Sequence, residues 1–124
     1  MSEFLFDPVG DRPNIAVFIG QAQVGSYDLR LWESGSNDIV MEESGNYRNP
    51  DDDRFDLPRP VADNNGRLVQ CQFAIVSPDI KPGDTYYVAL KFNQQGRNEQ
   101  IVDEEGPVTG KSLHPELIVT LKAG

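Results

Sequence analysis

GRLVQCQFAIVSPDIKPGDTYYVALKFN, Gly66 to Asn93, is the stretch that decides the fold. In its first half Val69, Cys71, Phe73 and Ile75 are apolar at every second position, with the more polar set Leu68, Gln70, Gln72 and Ala74 between them. Successive side chains of a strand point to opposite faces, so this alternation predicts a half-buried strand whose odd residues face a core. In the second half the even residues Tyr86, Val88, Leu90 and Phe92 form the apolar set and predict a second strand. Lys81-Pro82-Gly83-Asp84 lies between them. Proline presets φ and glycine accepts the positive φ of a type II turn, so the chain reverses there.

Upstream, Asn14 to Gly20 (NIAVFIG) is apolar on both phases, as a central strand is. Tyr27 to Glu33 alternates, with Tyr27, Leu29 and Leu31 inward and Asp28, Arg30 and Trp32 outward. Ser34-Gly35-Ser36-Asn37 then turns into a short strand, Asp38 to Glu42. Residues 1–13 read as an arm whose Phe4, Leu5 and Phe6 either pack as a short first strand or serve another chain. Residues 43–65 carry Pro50, Pro58, Pro60 and a run of acids without periodicity, and read as one long acidic loop. Loops beyond about 12–15 residues are uncommon in compact domains and tend to be binding segments or disordered ones. Downstream, Gln94 to Arg97 turns into a strand at Asn98 to Val102, Asp103 to Pro107 reads as an acidic turn, and Glu116 to Lys122 as the last strand. About seven strands separated by turn signals, with no helical periodicity, indicate one all-β domain over residues 14–124. The expected architecture is an antiparallel sandwich of two sheets.

The segment Phe73 to Val88 resembles the passage from the fifth to the sixth strand of immunoglobulin-like domains, where an alternating strand leads through an acidic, proline-containing corner to a tyrosine. The resemblance implies a Greek-key sandwich. It makes Tyr86 the tyrosine whose hydroxyl ties the corner down, puts Trp32 on the third strand, and puts Val88 where those domains carry their second disulfide cysteine. It carries no function, because this architecture hosts many unrelated ones.

Composition narrows the function classes. The 124 residues hold 20 acids against 11 bases, a formal charge of −9, which disfavours phosphate backbones and anionic membrane surfaces as partners. The start, MSEFLFDP, lacks the basic flank and apolar run of a secretory signal, and the expected compartment is the cytoplasm. The single cysteine, Cys71, rules out an intrachain disulfide and lies in phase with the core, where a thiol behaves as a small hydrophobe.

The chemical motifs are weak. Gly106-Pro-Val-Thr-Gly-Lys-Ser112 has three residues between its glycines where a phosphate loop has four. His114 is the one histidine, so any Ser-His-Asp arrangement has to be built on it. No catalytic residue is assigned, and the chain is expected not to be an enzyme. Two features remain. Asp51, Asp52, Asp53 and Asp56 are a candidate calcium site, since calcium takes several carboxylate oxygens, although Arg48, Arg54 and Arg59 offset part of the charge and a solvated loop is the preferred reading. Phe18, Arg30, Trp32 and Tyr87 sit on outward phases, and Tyr47 and Phe55 lie in the long loop. Aromatic and arginine side chains are favoured in interfaces, so these six are the candidate partner-binding residues, the alternative being that the long loop itself covers the outward aromatics through Tyr47 or Phe55. The reading is a non-enzymatic interaction or assembly module, an accessory or decoration subunit, that binds a protein partner or itself and needs no cofactor. The alternatives are a calcium-dependent binding module and a carbohydrate-binding module.

Overall fold

The computed structural model of the chain describes residues 2–20, 24–47, 53–76, 81 and 83–124. Its strands are β1 (Ser2–Phe6), β2 (Asn14–Gly20), β3 (Val24–Trp32), β4 (Ile39–Tyr47), β5 (Asp53–Asp56), β6 (Leu68–Val76), β7 (Thr85–Asn93), β8 (Gln100–Pro107), β9 (Ser112–Leu113) and β10 (Glu116–Ala123). The only helical element among the described residues is a single 3-10 turn, Val61–Asn64. No helix among them is long and apolar enough to cross a membrane.

The strands form two sheets packed face to face. The larger has the order β1-β10-β6-β3-β4, with β9 continuing against β6, and the smaller has the order β5-β2-β7-β8. Both predicted long strands form, β6 in the larger sheet and β7 in the smaller, so the turn at Lys81–Asp84 carries the chain from one sheet to the other. Gly83 takes φ 88°, and the Asp84 N–H donates to the Lys81 carbonyl at 3.1 Å. Pairing is nested, with β3 against β6 and β2 against β7.

The phases predicted for β6 and β7 hold. Val69, Cys71, Phe73 and Ile75 face Val88, Leu90 and Phe92 across a core that also takes Ile15, Val17, Ile19, Leu29, Leu31, Val119 and Leu121. Tyr86 is half-buried and packs against it.

Three segments bear comparison with expectation. First, residues 2–6 take the first of the two alternatives and pack as a strand, parallel to β10 with Ser2 opposite Val119 and Phe6 opposite Ala123. Phe4 and Phe6 have no exposed surface, and the Phe4 ring stacks on Phe92 at 4.9 Å. Two apolar residues at alternate positions are enough to bury this strand once the other sheet supplies Phe92. Two glutamines then close its outer edge. Leu5 N–H donates to Gln100 Oε1 at 2.8 Å while Gln100 Nε2 donates to the Leu5 carbonyl at 2.6 Å. Gln94 does the same for Asp7, at 2.8 and 2.9 Å, and also donates to the Asp11 carbonyl at 2.7 Å.

Second, residues 43–65 are not one long loop. β4 runs on to Tyr47, pairing residues 43–47 with Gly25–Leu29 of β3. Residues 53–56 pair with Asn14–Val17 of β2. Leu57 is fully buried and its N–H donates to the Pro13 carbonyl at 2.9 Å. Prolines and acids masked these strands because both lie at sheet edges, where a strand needs only one paired side and tolerates charge. Residues 58–64 are organised by Asn64, which is fully buried and donates to the carbonyls of Pro58 and Val61 at 3.0 and 3.2 Å.

Third, Asp103 to Pro107 is not a turn but the second half of β8, paired with Thr85–Ala89. The Tyr86 hydroxyl, expected at the corner, donates to Glu104 Oε2 at 2.9 Å, and Tyr87 donates to Asp103 Oδ2 at 2.9 Å. These bonds give the acids partners inside a strand.

Burial pushes the Cys71 thiol well above its ordinary value. We predict that a thiol reagent labels the native protein no faster than global unfolding allows, and that Cys71→Ser lowers stability by about 1–3 kcal/mol by placing a hydroxyl without a partner in the core. Removing the Gln94 amide strands the backbone groups it satisfies, so Gln94→Ala is expected to cost about 1–3 kcal/mol in urea denaturation, against less than that for the exposed Gln95→Ala.

Candidate functional site

The outward phase of a strand is selected for solubility or for contact, and on the larger sheet it carries a connected set of polar groups. Because β4, β3, β6 and β10 are neighbours, Glu42 lies opposite Arg30, Arg30 opposite Gln70, and Glu116 opposite Gln72, one step along the same face of β6. Arg30 Nε donates to Glu42 Oε2 at 2.7 Å and its Nη1 to Gln72 Oε1 at 3.1 Å. Gln72 Nε2 donates to Glu116 Oε2 at 3.0 Å, and Gln70 Nε2 reaches the same oxygen at 3.2 Å. Gln70 Oε1 in turn accepts from Trp32 Nε1 at 3.0 Å. The chain of bonds runs across four strands from Glu42 to Trp32. It holds the half-buried indole and the guanidinium in fixed orientations, which lowers the conformational cost of binding anything to them.

Two clefts border these residues. One, about 460 Å³, lies between Trp32, Leu68, Gln70 and the turn at Gly35–Asn37. The other, about 290 Å³, lies between Asp28, Ala74, His114 and Glu116. The wall of the first is held from beneath. Arg67, 8% exposed, donates from Nε and Nη2 to the two Glu33 oxygens at 3.2 and 3.0 Å and from Nη1 to Asn64 Oδ1 at 2.9 Å. The Arg67 bond, then the Ser34 N–H, hold the Glu33 carboxyl below its ordinary value. Glu33 N–H donates to the Asp38 carbonyl at 2.9 Å and closes the turn that forms the cleft rim.

The six sequence-predicted partner residues do not form one surface. Arg30 and Trp32 lie on the outer face of the larger sheet. Phe18 and Tyr87 lie on the outer face of the smaller one, ring centroids 5.8 Å apart, with Lys91 Nζ 4.5 Å over Phe18. Phe55 points the other way: it is half-buried against the core, edge to face with Tyr27 at 6.2 Å. Tyr47 ends β4, and its side chain lies outside the described residues.

Of the candidate calcium ligands, Asp51 and Asp52 lie outside the described residues. Asp53 and Asp56 are three residues apart in β5 and so point to opposite faces. Asp53 Oδ2 accepts the Tyr27 hydroxyl, and burial, then this bond, push that hydroxyl above its ordinary value. Among the described residues no three His, Cys, Asp or Glu side chains gather as metal ligands would. The stretch Gly106–Ser112 joins β8 to β9 with no helix after it. His114 Nε2 lies 3.2 Å from Ser112 Oγ, both exposed, and no third group among the described residues orients the imidazole as a nucleophilic site requires.

Sequence reasoning missed Gln70, Gln72 and Glu116 as parts of the site. The alternation did place both glutamines on the outward phase of their strand. What it lacked was the register that puts Glu116 opposite Gln72 and Trp32 opposite Leu68. Compared with known proteins, the chain matches no family model, no curated protein and no solved structure.

The Glu33–Arg67 pair makes stability depend on acid. With its folded pKa below the unfolded value, Glu33 contributes fully above the ordinary carboxylate range, and the contribution is lost as pH falls through the lowered folded value. The difference between wild type and Glu33→Gln in urea midpoint is expected to be constant from neutral pH down to about 5 and to shrink below about 4. A difference that grows on acidification overturns this.

Proposed function

We propose that the chain is a non-enzymatic interaction or assembly module that engages a protein partner through the outer face of its larger sheet, with no cofactor. The observation that carries this reading is the hydrogen-bonded row from Glu42 through Arg30, Gln72, Glu116 and Gln70 to Trp32. It spends an arginine and the chain's one tryptophan on a solvent face, where neither serves the core. These residue types supply much of the binding energy in interfaces, and prior ordering reduces what is lost when they dock. The Phe18–Tyr87 pair on the opposite face is partnered within its own sheet, with Lys91 over one ring and Asp103 on the other hydroxyl. It ranks second as a surface.

The topology fits the immunoglobulin-like resemblance in one respect. Residues 73–88 cross between the sheets, as the fifth-to-sixth strand passage of that fold does. The ladders are arranged differently: β6 pairs with β3 and β7 with β2, an exchange of the partners that fold uses.

The test is affinity capture from the native source with matched variants. Arg30→Ala and Trp32→Ala are expected to lose a saturable partner that wild type and Phe18→Ala retain, with each substitution weakening binding about tenfold or more. The emission of Trp32, the one tryptophan, should shift when the purified partner is titrated in. A partner retained by both face variants refutes the assignment.

A further inference from the structure

We propose that the free edge of β4 is a docking site for an extended, basic segment of a protein partner, which adds to the larger sheet as a further strand; this rests on the reading of the chain as a protein-interaction module. A two-sheet sandwich has four edge strands, here β1, β4, β5 and β8. Exposed edges template pairing with other chains unless they are covered, shortened, charged or interrupted. Three of the four are managed. Gln100 and Gln94 occupy the outward backbone groups of Leu5 and Asp7 along β1 and its continuation. β5 is four residues long. β8 carries Asp103-Glu104-Glu105 and ends in Pro107.

β4 is nine residues long, contains no proline and no lysine, pairs only with β3, and is charged only at Glu42 and Glu43, which oppose an acidic strand but not a basic one. Among the described residues no hydrogen bond reaches its outward backbone groups. A register shift opposite Leu31 and Trp32 places a bulge near Ile39 and Val40, so the regular part of the edge begins at Met41.

Charge selects the occupant. Glu42 projects on the outer face and Glu43 on the inner phase beside Tyr27, and both are exposed. Glu42 is held by Arg30 at 2.7 Å, whereas Glu43 makes no hydrogen bond or ion pair among the described residues. A second copy pairing edge to edge would set acid against acid, and like charges directly opposite are destabilising. A strand with cationic side chains on both phases meets Glu42 on one face and Glu43 on the other. Main-chain hydrogen bonds then supply affinity and the two acids supply selectivity.

The probe is a peptide of the length of β4 with blocked ends, in which lysine pairs alternate with valine pairs so that both phases carry cations, and the readout is amide hydrogen exchange of the full chain. Exchange is expected to slow at residues 41–47 and not along β8, with affinity about tenfold above that of the glutamate–valine counterpart. Glu43→Lys should reverse that preference. N-methylation of alternate peptide groups should abolish the protection, which separates ladder formation from charge attraction alone. Equal binding of the two peptides, protection confined to β8, or indifference to N-methylation each overturns the proposal. Loss of the captured partner in Arg30→Ala and Trp32→Ala without protection of β4 defeats this inference alone. Protection of β4 with the partner retained in those variants defeats the surface assignment alone.

Discussion

A strand that is apolar at every second residue must bury one face, and β6 and β7 bury theirs against each other. Neighbours within one sheet lie side by side and turn the same face the same way, so the two apolar faces can meet only if the strands belong to different sheets. Everything else follows from that crossing. β3 and β10 take the free sides of β6, β2 and β8 take those of β7, and the space between the sheets fills with the side chains that these strands turn inward. Burial of roughly 25 cal/mol per Å² of apolar surface makes this arrangement favourable without a disulfide or a metal.

Once two sheets have packed, their edges become the weak points, and the chain treats its two sides differently. Along the β1 side, Gln94 and Gln100 each offer one donor and one acceptor to the backbone, the same pair of groups a neighbouring strand would offer. The amide side chain thereby substitutes for a ladder and ties β1 to the opposite sheet. Along the β4 side the two sheets are joined by Tyr27, whose hydroxyl crosses to Asp53, while the backbone of β4 makes no hydrogen bond to any described strand but β3.

The outer face of the larger sheet shows how a polar surface acquires order. Glutamine has both a donor and an acceptor, so Gln70 and Gln72 can link an indole and a guanidinium to the same carboxylate of Glu116. None of these bonds is buried, and each contributes little to stability, because solvent competes for both partners. Their effect is geometric: they keep Trp32 and Arg30 in place. The Arg67–Glu33–Asn64 group differs, because Arg67 is nearly enclosed and its donors would otherwise face the protein interior.

Much of this was legible in the residues. The period of two in residues 67–76 and 85–93, the proline–glycine turn and the absence of any helical period determine an all-β chain, the inward residues of β6 and β7, the burial of Cys71 and the outward phase of Arg30 and Trp32. These are local properties, since alternation and turn chemistry depend on neighbours in sequence. Tertiary structure decided the rest. Edge strands β5 and β8 tolerate acids and proline that a local reading takes for loops, and Phe4 becomes a core residue only because Phe92 arrives from the other sheet. Which outward residues meet is a matter of register between distant strands. That register separates Phe18 and Tyr87 from Arg30 and Trp32 by the thickness of the sandwich, and it brings Gln70, Gln72 and Glu116, far apart in the chain, within hydrogen-bonding distance.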